Sequence, residues 1–252
     1  MDDDVLAISS AQRPDRRVSQ TNNFLLQNLS AQDFALLQPH LESVRIEVGE
    51  VIARTGDSIE SICFFEGAVA GILDSLDQEH RFAIGLVGQE GFVGWPLLLG
   101  SRLWPHDVVM RAEEAEAWRL PAPALLQAVS TSASLQATLL RFTNVFMIQM
   151  SRTIISSLAH TVERRMARWI LLYHDRVQTD EIAMTHEEFR LMLGVRRSSV
   201  TDALRHLMDE RAVLTTRGKI IVLDRSKLVE LSGATYGSAE SEYRRLIINR
   251  PD

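Results

Sequence analysis

The chain has 252 residues, 46% hydrophobic and 24% charged, with a net charge of −6, which allows a substantial buried core and room for two domains. Its one cysteine, Cys63, excludes an internal disulfide and a multi-cysteine metal site. No apolar run approaches the roughly 18–20 residues of a membrane span. The start, Met1-Asp2-Asp3-Asp4, lacks the basic-then-apolar order of a signal peptide, so a cytoplasmic protein is expected.

Residues 1–20 are poor in apolar side chains and contain Arg13-Pro14-Asp15-Arg16-Arg17, the composition of a disordered tail. A short helical stretch follows, capped by Asn23 or Ser30, with Phe34, Leu36, Leu37 and Leu41 on its apolar side. At Val44 the period changes to two: Val44, Ile46 and Val48 alternate with Arg45 and Glu47. Further strand-like runs are Val51–Ala53, Ile62–Phe65, Val69–Leu73, Phe82–Val87, Val108–Arg111 and Ala115–Leu120, separated by turns such as Gly49-Glu50, Thr55-Gly56-Asp57 and Glu66-Gly67. Many short strands with glycine turns fit an antiparallel barrel, sandwich or roll.

From Ala122 to about Leu172 the pattern is helical, with no proline between Pro123 and Pro251. Leu139, Phe142, Phe146, Gln149, Thr153 and Ser156 follow the 3-4 spacing of a coiled-coil seam. A second apolar stripe, Leu140, Met147, Met150, Ile154 and Leu158, lies on a neighbouring face. A helix apolar on two faces must bury both, one against its own domain and one against a partner, expected to be a second copy of the chain. The first stripe, with Leu139, Phe142, Phe146, Gln149 and Thr153, is the expected dimer interface.

Thr185-His186-Glu187-Glu188 has the form of a capping box that starts a helix carrying Phe189, Leu191, Met192 and Leu193. Gly194 ends that helix where a tight turn favours a left-handed residue, and Val195 plugs the turn. A second helix starts near Arg197 and buries Val200, Leu204 and Leu207. Its exposed start bears Arg196, Arg197, Ser198, Ser199, Thr201 and Arg205, which makes the pair a helix-turn-helix suited to duplex DNA. Val213–Thr216 and Ile220–Leu223, joined by Arg217-Gly218-Lys219, form a hairpin wing suited to phosphates. The charge distribution agrees: residues 1–159 carry a net −8 and residues 160–227 a net +3, as in an acidic sensor domain joined to a basic DNA-binding one.

A glycine-punctuated β-roll, a long helix and a winged helix-turn-helix in this order resemble the Crp/Fnr family of bacterial transcription regulators over roughly residues 22–231. The most specific piece runs from Met184 to Thr201 and resembles the family's T-x-x-[DE]-[IFL]-x-x-x-x-G-x-x-R-x-[ST]-V signature; Gly49-Glu50 and Phe65-Glu66-Gly67 resemble its β-roll turns. The resemblance implies an α+β chain with an N-terminal antiparallel, jelly-roll-like β-roll. The expected layout is a tail at 1–20, a cyclic-nucleotide-binding-like sensor at 21–128, a dimerisation helix at 129–160, a winged helix-turn-helix at 161–232 and a C-terminal tail at 233–252. It also implies a homodimer, DNA contacts from Thr185, Arg196, Arg197, Ser198, Ser199, Thr201, Arg205, Arg217 and Lys219, and RNA polymerase as a further partner if the protein activates.

The cyclic-nucleotide pocket of the family reads Gly-Glu followed about ten residues later by Arg-Ser or Arg-Ala. Here Trp95 follows Gly94 and Pro105 holds the arginine position, with Arg102 three residues early and Asp107 of the wrong sign for a phosphate, so cyclic AMP is not expected. Gly94, Trp95, Arg102 and His106 mark the expected effector pocket, which Trp95 and Trp104 either fill or line. No cofactor or metal is expected: one cysteine cannot hold an iron–sulfur cluster, and His80 and His106, conceivable haem ligands, read as surface histidines. Cys63 reads as a buried inert thiol. The sequence has no nucleophile–base pair and no phosphate loop, so an enzyme is not expected. The alternative to a DNA-binding regulator is a ligand-binding module acting on a protein partner.

Overall fold

The structure is a computed structural model that describes residues 21–77, 81–111, 115–177 and 179–249. The expected disordered tail and His80 lie outside the described residues. Both candidate caps act: Asn23 accepts from the amide of Leu26 to start α1 (Phe24–Gln27), and Ser30 accepts from the amide of Asp33 to start α2 (Ala31–Leu37). Among the described residues eight strands follow: β1 (Glu42–Ile46), β2 (Val51–Ala53), β3 (Ser61–Phe65), β4 (Ala70–Ser75), β5 (Arg81–Val87), β6 (Phe92–Val93), β7 (Asp107–Met110) and β8 (Ala115–Pro121). They form two antiparallel sheets, ordered β1-β8-β3-β6 and β2-β7-β4-β5, the two layers of the expected roll. Strand β6, two residues long, carries too little alternation to be seen in the sequence.

Helix α3 (Ala122–Thr131) leads into α4 (Ala133–Ala159), whose inner face closes the roll. Phe142 meets Phe92 with ring centroids 5.5 Å apart, and Trp95 meets Phe146 at 4.5 Å. Two glycines make this approach possible. A Cβ on Gly91 would collide with the ring of Phe142, and one on Gly85 would stand 2.7 Å from Phe146. Gln149 locks the helix to the sheet: its Oε1 accepts from the Leu86 amide at 2.7 Å and its Nε2 donates to the Leu86 carbonyl at 3.1 Å.

The expected dimer seam therefore needs correction. Leu139, Phe142, Phe146 and Gln149 are buried within one chain against its own roll, and Thr153 is buried beside Arg168 of α5. These side chains are covered within the single chain and offer no exposed surface to a partner. Of the second stripe, Met147 (53%), Ile154 (61%) and Leu158 (84%) are exposed, Leu140 is half-buried, and Met150 packs partly against the roll core. Leu140, Asn144, Met147, Ser151, Ile154 and Leu158 recur at alternating intervals of four and three along one edge of α4.

Helix α5 (Val162–His174) begins the second core, followed by β9 (Glu181–Ala183), α6 (His186–Leu193), α7 (Arg197–Asp209), β10 (Val213–Thr216), β11 (Lys219–Val222), α8 (Arg225–Ser232) and α9 (Ser238–Tyr243). This core also takes in Val69, Leu73, Ala83, Leu86 and Val109 from the outer face of the β4–β5–β7 layer, so the two parts of the chain are packed together. Residues 233–249 of the expected C-terminal tail are largely helical and docked: Tyr236, Ala239, Tyr243 and Ile247 are all buried. No helix among the described residues is long and apolar enough to cross a membrane.

Cys63 sits on β3, 5% exposed, and burial pushes its thiol up to about 12. Roughly one such thiol in ten thousand is ionised at pH 8, and the thiolate is the reactive form. Alkylation of the native protein by a maleimide is expected only at the rate of unfolding. Labelling within minutes in buffer, read by mass spectrometry, would contradict this burial.

Candidate nucleic-acid interface

The helix-turn-helix is built by local chemistry. The Thr185 hydroxyl accepts from the Glu188 amide at 3.2 Å, and the Glu188 carboxylate accepts from the Thr185 amide at 2.7 Å, closing the expected capping box at the start of α6. Gly194 ends α6 at φ +61°. Its bare Cα also faces the roll, where a Cβ would stand 2.8 Å from the Phe82 ring on β5, so a side chain here would meet both backbone strain and a collision. The Leu193 carbonyl, one of the acceptors α6 leaves without a helical partner, takes a bond from the Arg165 guanidinium.

Helix α7 starts at Arg197, where the sequence places it. Phe189, Met192 and Leu193 of α6 pack with Val200, Ala203, Leu204 and Leu207 of α7, which orients the rest of α7 outward. Arg196, Arg197, Ser198 and Arg205 are exposed, and Ser199 and Thr201 are half-buried. Thr201 donates to the Arg197 carbonyl at 3.2 Å, and Arg205 pairs with Asp202 at 3.1 Å along the helix. Thr185 is exposed beside its capping box.

Strands β10 and β11 form the expected wing, with Arg217 exposed at the turn and Gly218 at φ +75°. The sequence reading missed β9, which pairs with β11 to make a three-stranded sheet in which Ile182 faces Ile220. The only signal was one apolar residue between Glu181 and Ala183. Its consequence is electrostatic: Lys219 lies 2.8 Å from Glu181, so the wing presents Arg217 more openly than Lys219.

The four expected effector residues are not brought together. Gly94, at φ +111°, turns the chain into a 3-10 helix (Trp95–Leu99) that directs Trp95 into the core beside Phe146. Of the two roles left open for the tryptophans, Trp95 and Trp104 take that of filling: each is 6% exposed. Arg102 is exposed on the loop, and its carbonyl accepts from the Ile59 amide at 2.9 Å. His106 is half-buried instead of solvated, 3.5 Å from Asp74, in a groove of about 560 Å³ beside Met147, Met150 and Ile154. Burial pushes its imidazole below the ordinary range, against the pull of Asp74. Asp107 is engaged by Arg81 and by Thr55, whose amide donates at 2.8 Å. No group of His, Cys, Asp and Glu that could hold a metal ion occurs among the described residues.

Taken together, α6, the glycine turn, α7 and the wing define a winged helix-turn-helix behind a β-roll and a long helix. Residues 164–231 match the Crp-like helix-turn-helix domain. Solved structures match over most of the fold. FixK2 from Bradyrhizobium japonicum is 14% identical, with a TM-score of 0.65, covering 77% of this chain and 98% of its own. TTHB099, a CRP-family transcriptional regulator from Thermus thermophilus, is 18% identical at a TM-score of 0.63, covering 76% and 97%. CLP, a c-di-GMP responsive global regulator from Xanthomonas campestris, is 17% identical at 0.61, covering 77% and 99%. No curated protein matches the chain. The resemblance to the Crp/Fnr regulators thus holds, by sequence in the helix-turn-helix domain and by fold beyond it.

Proposed function

We propose that the chain is a homodimeric, cytoplasmic transcription regulator that reads an inverted repeat in duplex DNA through the start of α7. The observation that carries this reading is the exposure of Arg197 and Ser198 in the first turn of α7, a helix anchored by the buried Val200 and Leu204. A guanidinium there reaches guanine O6 and N7 in the major groove, a contact worth about 1–3 kcal/mol of discrimination. Arg196, Arg217 and Thr185, with Ser199, Thr201, Arg205 and Lys219 around them, suit the flanking phosphates and neighbouring base edges. The exposed α4 stripe from Leu140 to Leu158 suits a second copy, and a twofold dimer presents two copies of α7 to half-sites about 34–36 Å apart. Cyclic AMP is not the effector, because Trp95 fills the place of its carboxylate anchor. RNA polymerase is a further partner if the protein activates.

Selection from random duplexes tests the reading. It is expected to return inverted repeats. The Arg197→Ala protein should lose preference at one defined base pair in each half-site. Arg217→Ala should instead weaken binding to all sequences and lower the slope of log K against log salt by about one unit. Lys219→Ala should do so less, because Glu181 already partners Lys219. Enrichment of sites without symmetry, or an Arg197→Ala protein with unchanged preference, would sink this reading.

A further inference from the structure

The family match ends at residue 231, and the chain beyond it does not trail away. Residues 233–249 run across α4 and enter both cores. Tyr236 is buried in the core of the helix-turn-helix domain, while Ala239, Tyr243 and Ile247 are buried in the core of the roll. The i, i+4, i+8 spacing of those three residues puts one apolar edge of the segment against α4.

Polar bonds fasten the same junction. Arg168 of α5, 2% exposed, donates from Nε to the Thr235 carbonyl at 3.0 Å and from its other nitrogens to Thr153 Oγ1 and the Gln149 carbonyl of α4, each at 3.1 Å. The Tyr236 hydroxyl donates to Asp175 at 2.9 Å and accepts from Arg225 at 2.6 Å. Arg176, the next residue, pairs with Glu90 of the roll at 2.6 Å. The space left beside α9, Glu90 and Arg176 is about 30 Å³, enough for one water molecule and not for an effector.

We propose that residues 233–249 are an internal effector, a clasp by which the chain fixes its DNA-binding domain against the roll without a small molecule. Such segments act by pre-organisation. In relatives of this fold an effector would have to select one arrangement of roll and DNA-binding domain; here the packing of Tyr236, Ala239, Tyr243 and Ile247 and the bonds of Arg168 and Tyr236 hold one arrangement. The proposal rests on the DNA-binding reading for its consequence, but the clasp has its own readout in backbone exchange.

The test uses the full-length chain and its Tyr243→Asp, Ile247→Asp double variant, each refolded from denaturant and dialysed so that no bound molecule is carried over. Refolded wild type is expected to bind its selected duplex as tightly as natively purified protein. In the double variant, hydrogen exchange should quicken in α9 and in the part of α6 that faces β5. DNA affinity should fall about tenfold or more as the competent arrangement becomes a minor one. A synthetic peptide of residues 233–252 should restore both. If exchange quickens in α9 and affinity is unchanged, the clasp does not set the arrangement. If refolded wild type is tenfold weaker and a small-molecule extract restores it, the effector is external. Should the double variant fail to fold, Tyr236→Phe decides, since it removes only the hydroxyl bridge: unchanged exchange and affinity there overturn the proposal. Wild type that binds no duplex from a random pool defeats the DNA-binding reading instead, and exchange alone then judges the clasp.

Discussion

Replacing Phe142 by Ala is expected to cost about 3–5 kcal/mol of folding stability, the range for truncating a fully buried aromatic ring. Phe142 is 2% exposed and in ring contact with Phe92, and the close approach over Gly91 leaves the backbone no smaller surface to collapse onto. Urea unfolding followed by circular dichroism should show the midpoint fall at unchanged slope. A loss below about 1 kcal/mol would mean that α4 is not packed on the roll as described. For the same reason, charges at Phe142 and Phe146 should unfold the chain instead of separating two folded copies.

Folded monomers are expected from Met147→Asp combined with Ile154→Asp. Both side chains are more than half exposed in the single chain, so their replacement leaves the chain's own cores intact. In a twofold seam the same carboxylates would be desolvated without partners, which costs several kcal/mol. Sedimentation should give a single chain with an unchanged far-ultraviolet spectrum. Affinity for an inverted repeat should drop by about 10²–10⁴ with the loss of the second half-site contact. A variant that remains dimeric places the seam elsewhere on the surface.

The parts of the molecule legible in the sequence are those whose causes are local. The capping box at Thr185 and Glu188, the left-handed Gly194 and the start of α7 at Arg197 each depend on residues within one or two turns, and each stands where the pattern puts it. Strand β1 follows from the alternation at Val44 and Ile46, and the other long strands from apolar runs set between turn residues. The choice between the two stripes of α4 was not legible, because both are apolar at 3-4 spacing and differ only in what packs against them. Gly85, Gly91 and Phe92 of the roll make the decision, and they lie about fifty residues away in the chain. A weak signal was present in side-chain size: the first stripe holds two phenylalanines that suit a deep roll, the second flexible methionines and isoleucine that suit a surface seam. The docking of residues 233–249 was masked by the Ser, Glu and Arg residues between Tyr236, Tyr243 and Ile247.

Helix α4 works as a partition wall. Its inner side carries Phe142, Phe146 and Gln149, fastened to the roll; its outer side carries Met147, Ile154 and Leu158. The wall is one helix thick, about 10–12 Å with side chains, and 27 residues give it a length of about 40 Å. A turn of the wall by about ten degrees moves its outer side chains by roughly 1 Å along the whole seam, since they stand about 5–6 Å from the helix axis. In the proposed dimer, mechanical information would therefore have a short route from the interior of one copy to its neighbour, through the width of a single helix and not along the backbone.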